Sequence, residues 1–361
     1  MMSQTAYLVL QNGRVFKGKR FGSAGDAMGE LVFTTSMTGY LETISDPSYY
    51  GQIVVQTFPL IGNYGVIPED FEAPEPRLKA YLVRECCEYP SNFRCTGTLN
   101  RYLQSAGIVG LYDLDTRALT KMIREAGVMN ACILDSLDAV DETINALANF
   151  CIRGAVNQVS CSERQVFRAK ESKRKVVLWD FGAKENIQRE LLKRGCDVIK
   201  VPAWTKAEAI LAEHPDGIML SNGPGDPAEN QPIVDELKTV CKAGIPIFGI
   251  CLGHQLLALA NGFATEKLKY GHRGENQPVK DMMSGRIYIS SQNHGYTVCN
   301  QPHPNAEMRF VNVNDGTCEG ISYLHIPAFS AQFHPEGYAG PRDTMMLFDE
   351  FVEQMEDKKC R

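Results

Sequence analysis

Along the first 65 residues apolar and polar positions alternate between glycines, as in YLVLQNGRVFKG and GELVFTTS, and this two-residue period predicts several short strands. Between about residues 97 and 150 the pattern turns helical and mixed, with apolar residues at steps of three and four over 116–125 and 138–149. A charged run poor in apolar residues, SERQVFRAKESKRK at 162–175, then breaks the periodicity. From Val176 strand and helix alternate: KVVLWDFG, a helix about 184–194, CDVIKVP, a helix about 206–213, DGIMLS, a helix about 233–242, and IPIFGI. Alternation at that spacing predicts right-handed crossovers and an α/β fold built on a doubly covered, mostly parallel sheet. The predicted organisation is a mixed β/α domain over 1–150, a linker over 151–174 and the α/β domain over 175–361.

Ligands of such sheets sit beyond the carboxyl ends of the strands. Three loops fall there: Ser221–Pro227 (SNGPGDP), the turn at Cys251, and His334–Glu336. In IPIFGICLGHQLLALANG a buried strand delivers Cys251 to the first turn of a helix, with Gly249 and Gly253 on either side. Unpaired amides and the dipole at a helix start favour negative charge, so a thiol there is expected to ionise more readily than free cysteine, whose pKa is about 8.5. The competing reading is a cysteine that fills a core gap. Flanking glycines do nothing for a core cysteine, whereas they matter where the backbone turns sharply beside a substrate.

A thiolate nucleophile needs a base that later protonates the leaving amine, and that base needs a group fixing its tautomer. FSAQFHPEG supplies both, His334 and Glu336, after a late strand. On its own that tripeptide reads equally as a solvated turn. The amide of Leu252, next after the nucleophile, is placed to donate to an oxyanion. Gln255, one turn on, reads either as a contact for a substrate's α-amino acid end or as an exposed helix glutamine. SNGPGDP taken alone is also a Gly-Pro turn. His254, His272 and His294 are read as structural.

GICLGHQ, with SNGPGDP upstream and FHPEG downstream, resembles the class I, triad-type glutamine amidotransferases. VFTTSMTGYLETISDPSYYGQIVVQTFPLIGNYG and DTRALT, in the N-terminal half, closely resemble the small, glutamine-hydrolysing chains of carbamoyl-phosphate synthetases. The likeness runs over nearly the whole chain. It implies hydrolysis of L-glutamine to glutamate and ammonia through a Cys251 thioester, with His334 and Glu336 completing the triad. It also implies a second oxyanion donor at Gly225, with Gly223 nearby, and glutamine contacts from Ser36, Asn293, Gly295 and Tyr296. Tyr296 stands where relatives often have phenylalanine.

Composition narrows the alternatives. The chain has 361 residues, 44% of them hydrophobic, enough for two ordinary cores. Thirty-seven basic against forty-three acidic residues give a net charge of −6 without a like-charge block, which argues against nucleic acid. No basic leader and no run of roughly 18 apolar residues is present, so a soluble, cytoplasmic protein is expected, away from membranes. Twelve cysteines at irregular spacings fit reduced thiols, and Cys86, Cys87 and Cys95 lack the spacing of a zinc site. No metal is predicted. The chain carries no phosphate loop or dinucleotide fingerprint. No cofactor is therefore expected here, and ATP and magnesium are assigned to a large partner that consumes the ammonia to make carbamoyl phosphate, in a heterodimer or larger assembly. The 1–150 domain then serves docking and ammonia transfer. Two rivals remain: another amidotransferase or γ-glutamyl hydrolase, and a silent subunit that senses glutamine or scaffolds a partner. Arginine and pyrimidine synthesis are both open as pathways.

Overall fold

The computed structural model describes residues 4–359, which form two compact units, the first ending at Arg153 and the second starting at Gly154. In the first, β1 (Thr5–Leu10), β2 (Val15–Gly22), β3 (Ala27–Thr34) and β4 (Gln52–Gln56) carry the predicted alternation, interrupted by a short helix α1 (Tyr40–Ser45). Two residue pairs, β5 (Leu60–Ile61) and β7 (Glu85–Cys86), form a small separate ladder around β6 (Ala80–Leu82). Helix α2 (Leu99–Ser105), strand β8 (Val109–Tyr112), α3 (Thr116–Ala126), β9 (Met129–Leu134) and α4 (Val140–Asn149) follow. Seven strands close into a barrel in the order β1-β2-β8-β6-β4-β3-β9. Strands β8 and β9 lie where the sequence pattern reads as helical. They are four and six residues long and mostly buried, too short and too apolar to leave a two-residue period. Helix α3 has local signals at both ends: Asp115 accepts from the Ala118 amide at 2.9 Å, and Gly127 closes it at φ 96°.

The second unit starts inside the predicted linker, which is a correction to the 151–174 boundary. Residues Ala155–Val159 form α5, and Gln165–Phe167 form β10, an edge strand antiparallel to β12 (Cys196–Pro202). The strand itself is uncharged, and Arg164 and Arg168 flank it, as suits a sheet edge kept from pairing with another chain. Strand β11 (Arg174–Asp180), α6 (Glu185–Lys193), β12, α7 (Ala207–Ala212), β13 (Gly217–Leu220), α8 (Gln231–Cys241), β14 (Ile247–Ile250) and α9 (Leu252–Ala260) realise the predicted alternation. Then come β15 (Thr265–Asp281), β16 (Ile287–Val298), β17 (Ala306–Asn312), β18 (Cys318–Tyr323), β19 (Ala328–Ala331) and α10 (Met346–Lys359). The sheet has ten strands in the order β10-β12-β11-β13-β14-β19-β18-β17-β15-β16. Its centre, β12-β11-β13-β14-β19, is parallel, and β18, β17, β15 and β16 extend it antiparallel.

Successive residues of a strand face opposite sides, so apolar runs buried on both faces build two cores. Val177 and Trp179 pack on one face with Leu220, Leu237 and Leu256; Val176 and Leu178 pack on the other with Met219, Phe248 and Phe329. Because the five central strands are parallel, the residues after β11, β13, β14 and β19 all emerge at one edge. The eleven described cysteines are free thiols, and no helix of the described residues is long and apolar enough to cross a membrane.

Phe248 stacks on Phe329 with centroids 4.4 Å apart and meets Phe348 edge-on at 5.8 Å. Phe248→Ala should destabilise the second unit by about 3–5 kcal/mol. Both tryptophans of the chain, Trp179 and Trp204, lie in this unit, so urea unfolding followed by tryptophan fluorescence reads the loss selectively.

Candidate active site

Cys251 follows β14 directly and caps α9 in a conformation rare for a side-chain-bearing residue, φ 52° and ψ −104°. Backbone of this kind costs on the order of 1–3 kcal/mol and persists only where the surroundings enforce it. The enforcement is visible. The Cys251 amide donates to the Ala331 carbonyl at 2.8 Å, and that of Gly253 donates to the Ser221 carbonyl at 3.0 Å. A Cβ on Gly253 would sit 2.4 Å from the Leu220 carbonyl oxygen, and one on Gly249 would sit 2.8 Å from the Gly253 oxygen. The glycines thus let α9 pass against β13 and β14 more closely than any side chain would allow.

Beyond β19 the chain brings His334 to the same edge, its amide donating to the Ser291 carbonyl at 2.8 Å. His334 Nδ1 lies 2.6 Å from Glu336 Oε1. Both side chains are buried, and so is Cys251. Burial and the nearby Lys184 ammonium push the His334 pKa down. The Glu336 carboxylate and the Cys251 sulfur outweigh them, and it is raised to about 10. Nε2 makes no fully formed hydrogen bond, yet the Cys251 sulfur is near enough to favour the protonated ring. Such contacts often tighten only when substrate is bound. Glu336 shows the converse: burial would raise its pKa, but His334 and Lys184 hold it below the usual carboxylate range. Linkage fixes the sign. The raised His334 stabilises the fold below its unfolded pKa and loses that contribution as pH climbs through the folded value. The depressed Glu336 contributes above its unfolded pKa and fails in acid, leaving a window between them.

Sequence reading missed Lys184. It is buried, with Nζ 3.6 Å from Glu336 Oε1, and it stands on the turn after β11, whose geometry Asp180 sets by accepting from Gly182 and Ala183 at 2.9 and 2.6 Å. The available signal was a lysine between a buried strand and a helix. Asn222 ties this turn to SNGPGDP by accepting from the Lys184 amide at 3.0 Å. Gly223 would place a Cβ 2.3 Å from the Phe181 carbonyl oxygen, and Gly225 takes φ 90°, so both glycines answer to geometry. Leu252 is the first residue of α9, where amides have no intrahelical acceptor.

The other expected contacts that belong to the second unit fall on the same edge. Cys251 Sγ is 3.7 Å from the Asn293 carbonyl oxygen, on β16. Gln255 is buried, which removes the exposed-helix reading; its Nε2 donates to the Tyr296 carbonyl at 2.8 Å and to Gln332 Oε1 at 2.9 Å. Gly295 lies between these two positions. Ser36 is in the first unit, buried, with Oγ 3.1 Å from Thr34 Oγ1. His254, fully buried, faces Ser330 Oγ at 2.8 Å, and burial pushes its pKa down to about 3.

Residues 8–133 match the family model for the carbamoyl-phosphate synthase small chain, CPSase domain, and residues 177–354 match class-I glutamine amidotransferase. The chain is 49% identical to the carbamoyl phosphate synthase small chain of Clostridium perfringens, over 96% of this chain and 98% of that one. It is 48% identical to the pyrimidine-specific small chain of Bacillus subtilis, over 97% and 95%. The chain belongs to the carbamoyl phosphate synthase small chain family. Among solved structures, a glutamine amidotransferase from Thermotoga maritima shares 21% identity at a TM-score of 0.37, over 52% of this chain and 86% of that one.

Two outcomes follow from the geometry. Glu336→Gln removes the carboxylate that holds His334 up, so the His334 ionisation should move toward neutrality in an imidazole NMR titration, with catalysis reduced on the order of 10²-fold or more. Gly253→Ala should force α9 off Leu220 and abolish activity even though the thiol remains, as titration of the unfolded chain with a thiol reagent would show.

Proposed function

We propose that this chain hydrolyses glutamine to glutamate and ammonia and delivers the ammonia to a large ATP-dependent chain that makes carbamoyl phosphate from bicarbonate. The observation that supports it best is Cys251, held strained at the helix start, beside a buried His334–Glu336 couple. Membership of the small chain family supplies the acceptor for the ammonia.

The Cys251 sulfur attacks the side-chain amide carbon of glutamine. The carbonyl electrons move to oxygen, where the Leu252 and Gly225 amides donate to the oxyanion; a single such donor is worth about 2.7–4 kcal/mol in comparable sites. Collapse expels ammonia, with the proton supplied by His334 Nε2. Water, deprotonated by the same nitrogen, then attacks the thioester, releasing glutamate and restoring the thiol. Glu336 stabilises the imidazolium and fixes its tautomer through Nδ1. Lys184 keeps Glu336 ionised.

Gln255, Asn293, Gly295 and Tyr296 form the glutamine contacts of this reading, with Gly223 shaping the loop that carries Gly225. Ser36 is included on the resemblance of its motif alone. The first unit serves docking and ammonia transfer, ATP and magnesium belong to the partner, and the assembly is a heterodimer or a multiple of one. A cytoplasmic setting suits a chain whose described cysteines are all free.

The deciding experiment pairs Cys251→Ser with the large chain. Glutamine-dependent carbamoyl phosphate synthesis should vanish while synthesis from added ammonia persists, and mass spectrometry should find a glutamyl adduct on Cys251 in the unmodified chain only. Persistence of the glutamine-dependent reaction would refute the nucleophile.

A further inference from the structure

A second set of ionisable side chains is buried in the second unit, outside the chemistry above. His272, on β15, lies between two carboxylates: Nε2 is 2.8 Å from Asp315 Oδ2 and Nδ1 is 3.2 Å from Glu319 Oε1. Glu319, on β18, is fully buried and accepts from Asn312 Nδ2 and Gln292 Nε2, each at 3.1 Å. The oxygen of the same Gln292 amide is 3.1 Å from His294 Nε2, and His294 Nδ1 is 2.8 Å from the Tyr296 carbonyl oxygen. That oxygen also accepts from Gln255. One run of polar contacts therefore connects a half-exposed aspartate to residues 293–296.

Proton counting gives this run its direction. An imidazole with both nitrogens against carboxylates satisfies both only as imidazolium. Burial opposes that charge on His272, but Glu319 and Asp315 outweigh it and raise the pKa. Burial raises that of Glu319 above the ordinary carboxylate range, and His272, Asn312 and Gln292 recover only part of the shift. His294, whose ring meets His272 edge-on at 4.9 Å, is held well below the ordinary value by burial, then by His272, with Arg273 and His334 adding to it and the Tyr296 carbonyl opposing; Glu319 Oε1 stands 4.0 Å from its Nε2. A neutral His294 has one N–H for two acceptors, the Gln292 oxygen and the Tyr296 carbonyl. Where the ring settles then depends on how Gln292 is held, and its Nε2 is held by Glu319 Oε2 and Ser290 Oγ, each at 3.1 Å.

We propose that the Asp315–His272–Glu319 cluster is a positioning device that acts through Gln292 and His294 on Asn293–Tyr296, and so sets the affinity for glutamine without entering the chemical step. The proposal rests on the reading that residues 293–296 and Gln255 contact glutamine. A metal centre is the competing account, since His272 Nδ1, His294 Nε2 and Glu319 Oε1 lie within 4.8 Å of one another. Each of these atoms already has a protein neighbour within hydrogen-bond distance.

The test uses the full chain assembled with the large chain. Glu319→Gln and His272→Asn should each raise KM for glutamine roughly fivefold or more at neutral pH, with kcat within about twofold, the pattern of lost binding that is uniform through the reaction. In the unsubstituted protein KM should climb with rising pH as His272 loses its proton, later than an ordinary imidazole would. In Glu319→Gln the imidazolium has lost a carboxylate, so that climb should begin nearer neutrality. Asp315→Asn, half-exposed and safe for folding, should shift the profile in the same sense by less. Nitrogen-15 NMR should find both His272 nitrogens protonated at neutral pH. Unchanged KM and pH profile in active Glu319→Gln and His272→Asn, a fall in kcat with KM constant, or stoichiometric zinc in the purified chain would each overturn the proposal. Absence of any glutamine hydrolysis by the unsubstituted complex would instead sink the functional reading, and this proposal with it.

Discussion

The constraint on which the second unit depends is the closeness of α9 to the strands beneath it. Leu220 presents its carbonyl oxygen where only a hydrogen can face it, and Gly253 supplies that hydrogen. With the helix seated so low, Cys251 has to leave β14 through positive φ, and its amide is claimed by Ala331 of the neighbouring strand. The sulfur is consequently aimed by the sheet and not by its own rotamer preferences. A flexible thiol on a loop would lose orientational freedom at every turnover; here that entropy is given up once, on folding.

Around this fixed point the electrostatics are balanced by groups of both signs. Burying Glu336 and His334 together would be unfavourable for either alone, and their mutual attraction offsets the desolvation. Lys184 shifts the balance toward the ionised carboxylate while opposing the charge on the histidine, so the proton of the couple belongs to the imidazole. The arrangement is tied together by hydrogen bonds to main-chain amides among loops far apart in sequence: Lys184 to the Asn222 side chain, His334 to the Ser291 carbonyl, Gly253 to the Ser221 carbonyl. Moving one loop moves the others.

The buried His272–Glu319 pair repeats the same physics for a different purpose. Both couples bury a histidine against a carboxylate, but only one opens onto the sulfur. The other leads through one amide, that of Gln292, and the His294 imidazole to a carbonyl on β16, where Gln255 meets it from α9. Helix, central strands and antiparallel extension therefore converge on one stretch of backbone, which explains why a sheet with a parallel centre carries its long β15–β16 hairpin at the edge.

Much of this was written locally in the chain. Short apolar runs and period-3.6 patterns marked the alternating elements from Val176 onward because the two kinds of segment differ in length and repeat, and the glycines around Cys251 marked the corner because a sharp turn leaves few other residues possible. His334 and Glu336 were legible because the couple is two residues apart. The short barrel strands β8 and β9, the edge strand β10 in a charged run, and the roles of Lys184 and Glu319 were not, since a residue's burial and its partners depend on segments tens to hundreds of positions away. Sequence alone determined which residue types stand at the strand ends; only the tertiary structure decided which of them share a proton, because that requires atoms within about 3 Å, a distance no linear pattern encodes.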